Sequence, residues 1–223
     1  MRTRSSGIVV GVWVLFYAVG VVGHFTPRLR LLIEGTTPAL LAAGAVSVAT
    51  ATLLSVERNF RQRVLLWMLF VSLAGLAVEI VGVASGFPFG SYTYGTPLGL
   101  RFRDVPLVIG LSWLTVVLGG ISLAQRLAAG RIASSLIVGA FALATDILLE
   151  PAAGVLGYWM WEKSVVPSEN YISWFIISAL FGYLFRFTRS KIGTLLPVCY
   201  TLIQVLFFAA IVFGAPIFGD GLP

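Results

Sequence analysis

The chain has 223 residues, of which 58% are hydrophobic and 11% are charged, and its mean hydropathy is +0.97. Soluble domains carry about 25% charged residues, so this composition excludes an ordinary soluble domain and predicts a polytopic membrane protein. The net charge of +6 does not indicate nucleic-acid binding, because the basic residues lie in short connectors between apolar runs, where they set topology. The single cysteine, Cys199, lies within an apolar run, which excludes an internal disulfide and a multi-cysteine metal site.

Apolar runs long enough to cross a bilayer occur about seven times along the chain. The first run follows a basic start, but it is too long for a signal peptide and no small-residue cleavage site follows, so it predicts a retained span. The predicted spans are 7–25, 37–56, 64–85, 106–124, 132–151, 171–187 and 193–214. We therefore expect an all-α bundle of about seven transmembrane helices, a single domain over residues 1–223, multi-pass in the cell membrane.

The distribution of charge predicts that the N-terminus lies inside. With this orientation the inner segments hold about twice as many of the fifteen Lys and Arg residues as the outer segments do. Nearly all acidic residues fall at or beyond the outer ends of the spans. Both long connectors, 86–105 and 152–170, lie on this outer side, so we expect the chemistry of the protein there.

Three acidic residues lie within predicted spans: Glu79 in span three, and Asp146 and Glu150 in span five. A carboxylate at the centre of a membrane helix costs about 2.5–3.5 kcal/mol on insertion scales, and such groups usually face the bundle interior and mark function. Asp146 and Glu150, in the stretch "ATDILLEP", are four residues apart and share one helix face. The alternative is a structural role, in which the acids bond Ser, Tyr or Trp groups or pair with an arginine.

Small residues at three- and four-residue steps accompany both acidic faces, which is typical of closely packed membrane helices. They are Ser72, Gly75, Gly82 and Gly86 in span three, and Ser135, Gly139 and Ala142 in span five. Both acidic faces are therefore predicted to be buried against other helices at similar depth.

Two aromatic segments flank the acids on the outer side, "GFPFGSYTYG" and "GYWMWEKSVVPSENYISW". An interfacial belt of aromatic residues explains part of this pattern. Two glycine-punctuated loops rich in Tyr and Trp on one side indicate, in addition, a lined pocket. The candidate substrate-binding residues are Tyr92, Tyr94, Trp113, Trp159, Trp161, Asn170 and Trp174.

Several chemistries lack their sequence signals. No lysine lies within a span, which excludes a retinal Schiff base, and no Gly-x-Gly-x-x-Gly motif indicates a flavin or nicotinamide cofactor. No Asp-Asp-x-x-Asp cluster indicates prenyl transfer with magnesium diphosphate, and the lone His24 argues against a histidine-based metal site. We therefore expect acid chemistry without a cofactor or metal, in an apolar and aromatic cavity.

Four motifs occur in order along the chain: "GFPFGSYTYGTPLG", "VPLVIGLSW", "TDILLEPAAGVLGYWMW" and "VPSENYISWF". In these motifs, over about half of its length, the chain resembles the carotenoid biosynthesis protein family of CruF-type carotenoid 1′,2′-hydratases. The resemblance implies addition of water to the terminal double bond of an acyclic carotenoid end group, such as that of γ-carotene or lycopene. Family members usually have Asp-Pro where this chain has Glu150-Pro151, so its acidic side chain is one methylene longer.

Hydration of such an alkene begins with protonation, and water then captures the resulting tertiary carbocation. The proton donor must be a carboxylic acid that stays neutral near pH 7, a state that burial and a neighbouring carboxylate favour. Ring faces of Tyr and Trp stabilise the cation, and a second acid accepts a proton from the incoming water. We hypothesise that Asp146 is the acid, while Glu79 and Glu150 orient the water or set the protonation state of Asp146.

The expected partners follow from this chemistry. The carotenoid enters from the bilayer, water comes from the outer surface, membrane lipids surround the protein, and an association with other carotenoid enzymes is a further expectation. One alternative is another acid-driven carotenoid enzyme, a cyclase or isomerase, in which water does not capture the cation. A second is a non-catalytic carotenoid-binding or proton-coupled transport protein, although a transporter is expected to have symmetric halves or broken helices.

Overall fold

The computed structural model describes residues 2–127 and 130–218. Within these ranges seven helices are long and apolar enough to cross a membrane, which confirms the predicted polytopic helical bundle. The helices are α1 (Arg2–His24), α2 (Pro27–Ser55), α3 (Arg61–Ser85), α4 (Val108–Leu127), α5 (Arg131–Val155), α6 (Ser168–Phe185) and α7 (Leu196–Phe218). Short strands lie in the connectors: β1 (Tyr92–Tyr94), β2 (Arg101–Phe102), β3 (Val105–Pro106) and β4 (Trp159–Trp161).

Helix α4 is the centre of the bundle. Of its apolar window, 78% is buried, against 22% for α1 and 33% for α3. Glycines on α4 allow its neighbours to approach closely: a Cβ at Gly110 would lie 2.5 Å from the Ser72 carbonyl oxygen of α3, and one at Gly119 would lie 2.8 Å from the Phe141 ring of α5. Side chains at these positions would separate α4 from both acid-bearing helices.

The small residues beside the acids pack as predicted. A Cβ at Gly75 on α3 would lie 2.7 Å from the Trp113 ring, and one at Gly139 on α5 would lie 2.7 Å from the Phe175 carbonyl oxygen of α6. Glu79 is 4% exposed and Asp146 is 1% exposed. The prediction that both acidic faces are buried against other helices is confirmed.

The helix ends lie within five residues of the predicted span ends, except for the start of α2, which differs by ten. Helix α2 begins at Pro27 instead of 37, because a proline fits the first helical turn, where its missing N–H has no intrahelical partner in any case. The Arg30 guanidinium then donates to the Glu34 carboxylate one turn further along, at 2.8 Å. Helix α5 passes through Pro151 and ends at Val155, about one turn beyond the predicted end.

The connectors after α3 and α5 meet at the same end of the bundle. Helix α3 ends at Ser85, and the left-handed conformation of the next residue, Gly86 (φ +74°), closes the helix and turns the chain back. The chain then forms β1, which pairs with β4 from the connector after α5 in an antiparallel ladder. We call this the acidic end of the bundle. The inside location of the N-terminus stays a prediction.

Candidate active site

The β1–β4 ladder turns four aromatic side chains toward the acids. Tyr92 lies opposite Trp161 and Tyr94 lies opposite Trp159, with ring centroids 5.0 Å and 5.9 Å apart. Because successive side chains of a strand point to opposite faces, these four share one face of the ladder. Met160, between the two tryptophans, is 66% exposed on the other face. The ladder therefore covers the acidic end with Tyr and Trp edges that carry hydrogen-bond donors.

The carboxylate of Glu79 accepts three hydrogen bonds. The Tyr92 and Tyr94 hydroxyls donate to Oε2 at 2.5 Å and 2.8 Å, and the Trp113 indole N–H donates to Oε1 at 2.9 Å. We call Glu79 and these three donors the Glu79 site. Because Tyr92 and Tyr94 are two residues apart on β1, their side chains point to the same face, and both hydroxyls donate to the same oxygen of Glu79.

Asp146 and Glu150 share one donor. The Asn170 amide Nδ2 donates to Asp146 Oδ2 at 2.7 Å and to Glu150 Oε1 at 3.2 Å. The indole N–H groups of Trp159 and Trp161 donate to Glu150 Oε2 at 3.1 Å and 2.8 Å. We call these five residues the paired site. Its two carboxyl groups lie within reach of a single nitrogen, as their four-residue spacing on α5 predicts.

Asp146 has fewer partners than the two glutamates. Its Oδ1 is buried and has no hydrogen-bond partner among the described residues, while its Oδ2 accepts only from Asn170. A buried carboxylate oxygen without a donor is costly, since its desolvation is not compensated. A proton on this carboxyl group would reduce that cost, because the neutral acid carries no charge that needs donors.

The tyrosines of the Glu79 site remain protonated at neutral pH. Burial raises the pKa of both Tyr92 and Tyr94 above the usual value, and the charge of Glu79 raises both further. Loss of a phenol proton is therefore disfavoured under ordinary conditions. Both hydroxyls act as donors to Glu79, and each also retains lone pairs that can accept a hydrogen bond.

Two stacked tryptophans lie next to the Glu79 site. The Trp113 ring on α4 is fully buried and stacks on Trp174 of α6, with centroids 3.9 Å apart and ring planes 4° apart. The absence of a side chain at Gly75 leaves the space that the Trp113 ring fills. The indole N–H of this ring therefore reaches Glu79, while its face contacts a second electron-rich ring.

A cavity of about 80 Å³ lies among these groups. Nine predicted site residues line it: Glu79, Tyr92, Tyr94, Trp113, Glu150, Trp159, Trp161, Asn170 and Trp174. Asp146 is not among the lining residues; it contacts the cavity wall through Asn170. The hydrogen bonds to Tyr and Trp that a structural role for the acids predicts are present. The two glutamates, however, also line the cavity.

A second, more open depression of about 910 Å³ lies at the acidic end. Glu150, Tyr92, Trp159 and Trp161 line both this depression and the cavity. The ladder and Glu150 therefore lie between the cavity and the open end of the bundle.

A family described as "Carotenoid biosynthesis protein" matches residues 35–218. The chain belongs to this carotenoid biosynthesis protein family. The match confirms the resemblance drawn from the four motifs, and it includes every residue of the Glu79 site and of the paired site.

A curated relative with significant similarity is bisanhydrobacterioruberin hydratase of Haloarcula japonica. The two are 32% identical over 131 residues, which is 55% of this chain and 45% of that protein. The match thus spans less than half of the length of the relative. No solved structure matches the chain at a significant level.

Sequence reasoning missed two features of this carotenoid-family site. It did not predict the β1–β4 ladder, although the alternation in "YTY" and "WMW" is the period-two pattern of a strand. It also missed Gln204 on α7, which is 7% exposed and lines the cavity. A lone amide within an apolar span is a signal for such a position, because polar groups in membrane helices face the bundle interior.

Proposed function

We propose that this protein is a carotenoid hydratase that adds water to the terminal 1′,2′ double bond of an acyclic end group, as in γ-carotene or lycopene. The observation that carries the proposal is the cavity, where two hydrogen-bonded carboxyl groups, Glu79 and Glu150, face a space walled by Tyr and Trp rings. Membership of a carotenoid biosynthesis family supports a carotenoid as substrate. The hydratase named for the Haloarcula japonica relative supports addition of water.

The size of the cavity supports reaction at the end of the substrate. A volume of about 80 Å³ accepts a few water molecules or the tip of a chain. A carotenoid is comparable in length to the bilayer core of about 30 Å. The terminal double bond therefore enters the cavity, while the rest of the polyene lies between helices and in lipid.

The paired site supplies the proton in this proposal. Asp146 and Glu150 hold one proton between them, and Asp146 keeps it at rest because its Oδ1 has no donor. Glu150 presents the proton to the alkene, because Glu150 lines the cavity and Asp146 does not. When Glu150 carries the proton, it lies on Oε1, because Oε2 faces two indole N–H groups that can only donate, whereas Oε1 faces the shared Asn170 amide alone, at 3.2 Å.

The Glu79 site stabilises the cation and receives the proton of water. Transfer of the acid proton to the less substituted alkene carbon leaves the charge on the tertiary carbon, close to the Trp113 and Trp174 rings, which attract cations through their faces. Water then forms the C–O bond and releases a proton to Glu79. The three donors on Glu79 support an ionised carboxylate, which only accepts hydrogen bonds. This scheme uses no cofactor.

Expression in a bacterial strain that makes lycopene or γ-carotene tests the proposal. Mass analysis of the extracted pigment should detect a product heavier than the substrate by one water. A strain with the Glu150→Gln variant, at equal protein level in the membrane, should retain the substrate. An altered pigment of unchanged mass would support a cyclase or isomerase instead, and unaltered pigment that copurifies with the protein would support a binding protein.

A further inference from the structure

Gln204 is a buried polar residue of the cavity that neither carboxyl site uses. It lies on α7, which carries none of the three acids, and its side chain lines the cavity. Its amide interacts with the Tyr17 phenol of α1. The Tyr17 hydroxyl in turn lies 3.0 Å from the Tyr200 hydroxyl. An amide offers one carbonyl oxygen and two N–H groups, so Gln204 has capacity for a further partner.

The other polar side chains of the cavity that lie outside the two sites have partners. The hydroxyl groups of Ser112, Thr115 and Thr145 donate to carbonyl oxygens of their own helices at 3.2, 2.9 and 2.9 Å. Tyr158 interacts with Thr37 of α2. Gln204 is thus the cavity side chain outside the two carboxyl sites that is best able to hold a small polar molecule.

We propose that Gln204 binds and orients the water molecule that captures the carbocation. This inference rests on the proposed hydratase function and names the residue that directs that function toward hydration. The amide carbonyl accepts a hydrogen bond from one O–H of the water, which leaves an oxygen lone pair free to form the C–O bond. The second O–H of the water releases its proton to a carboxylate.

If no water is oriented to capture it, the cation reacts in another way. It loses a proton from a carbon next to the charge, the electrons of that C–H bond re-form a double bond, and the proton returns to a carboxylate. This return produces an alkene again and consumes no water. In D₂O the acid delivers deuterium, so a fraction of the returned alkene keeps one deuterium on carbon. The ratio of deuterated alkene to hydrated product therefore reports how well the water is placed.

The experiment uses membranes that contain the full chain, incubated with lycopene in D₂O, with both pigments measured by mass spectrometry. Gln204→Met keeps the length of the side chain and removes its hydrogen bonds. We expect this variant to raise the ratio of deuterated alkene to hydrated product about tenfold, the effect of about one hydrogen bond in the step that captures water. Thr145→Val, which removes a cavity hydroxyl already bonded to its own helix, should keep the wild-type ratio.

A general disturbance of packing would lower both products together and leave the ratio unchanged, and that result overturns the inference. Gln204→Asn, which retains the amide one methylene further back, is the second variant in case Gln204→Met does not accumulate. It should give an intermediate ratio, and an unchanged ratio counts equally against the role of Gln204. Absence of both products with the wild-type chain refutes instead the proposed hydratase function.

Discussion

The two carboxyl sites lie at the same end of the bundle and share the β1–β4 ladder, but they are built from different donors. Strand β1 supplies two phenol hydroxyls to Glu79, and strand β4 supplies two indole N–H groups to Glu150. A hydroxyl can donate or accept, whereas an indole can only donate. The phenols of the Glu79 site can therefore also accept hydrogen bonds. The two indoles of the paired site leave Oε1 of Glu150, which faces one amide donor, as the oxygen better able to carry a proton.

The sites also differ in whether every carboxylate oxygen has a hydrogen-bond donor. Both oxygens of Glu79 have donors, while Oδ1 of Asp146 has none among the described residues. Two carboxyl groups that share one amide donor cannot both be ionised without a large cost, because like charges repel strongly at short range in an apolar medium. This difference supports the proposed division of roles, with a proton held at the paired site and a charge held at the Glu79 site.

The largest expected effect comes from Glu150→Gln. Removal of the acid that faces the cavity should lower the hydration rate about 10²- to 10⁴-fold, the usual contribution of a general acid. Hydrated carotenoid per unit of membrane protein is the measurement. Glu162→Gln is the matched control, since Glu162 is exposed and lines only the open depression. Wild-type activity in Glu150→Gln would exclude Glu150 as the proton donor.

Asp146→Asn tests whether the pair acts as a unit. An amide at this position keeps the shape but cannot hold the shared proton, so we expect a loss of about a hundredfold in hydration rate. Asp104→Asn is the control, because Asp104 is exposed in the connector between β2 and β3. If Asp146→Asn hydrates at the wild-type rate, then Glu150 works alone and the comparison of the two sites loses its basis.

The sequence predicted the acids and the aromatic residues better than it predicted their order around the cavity. Glu79 and Glu150 were accessible to sequence reasoning because a carboxyl group in an apolar span is rare and expensive. Asp146 is likewise a carboxyl group in an apolar span. Its position behind Asn170, however, depends on the rotation of α5 relative to α6, which residue spacing within one helix cannot predict. The hypothesis that Asp146 is the acid stays a prediction, and the proposal adds Glu150 as the residue that meets the alkene.

The helical spans were predictable because hydropathy alone decides them, whereas the ladder depends on contacts distant in sequence. Tyr92 and Trp161 are cross-strand partners from different connectors. Nothing near either residue specifies the other, and strands of three residues carry weak local preferences. The central position of α4 could not be predicted from the sequence either, since it follows from close contacts at Gly110 and Gly119 with two other helices.

Tyr94→Phe probes the Glu79 site with a smaller change. Loss of one hydroxyl removes a hydrogen bond of 2.8 Å to Glu79 and leaves the Tyr92 and Trp113 donors in place. A hydrogen bond to a charged group contributes about 1.5–3 kcal/mol, and the remaining donors compensate in part, so we expect the hydration rate to fall about tenfold. A rate in Tyr94→Phe as low as that of Glu150→Gln would show that the tyrosine itself transfers a proton.

Gly75→Ala should have the smallest effect on the reaction and a measurable effect on stability. A Cβ at Gly75 would lie 2.7 Å from Cγ and 2.8 Å from Cβ of Trp113, so the ring must move. Overpacking of this kind costs about 1–3 kcal/mol, which exceeds the gain of up to about 1 kcal/mol in helix propensity from alanine. Gly11→Ala gains the same propensity with nothing within 4 Å of its Cβ.

Thermal unfolding in detergent should therefore show a lower Tm for Gly75→Ala than for wild type, and an equal or higher Tm for Gly11→Ala. Because a displaced Trp113 lengthens its 2.9 Å bond to Glu79, Gly75→Ala should also lower hydration a few-fold, less than Tyr94→Phe does. Full hydration activity together with a lower Tm would show that Trp113 supports the fold without setting the charge of Glu79. In that case the two phenols alone would distinguish the Glu79 site from the paired site.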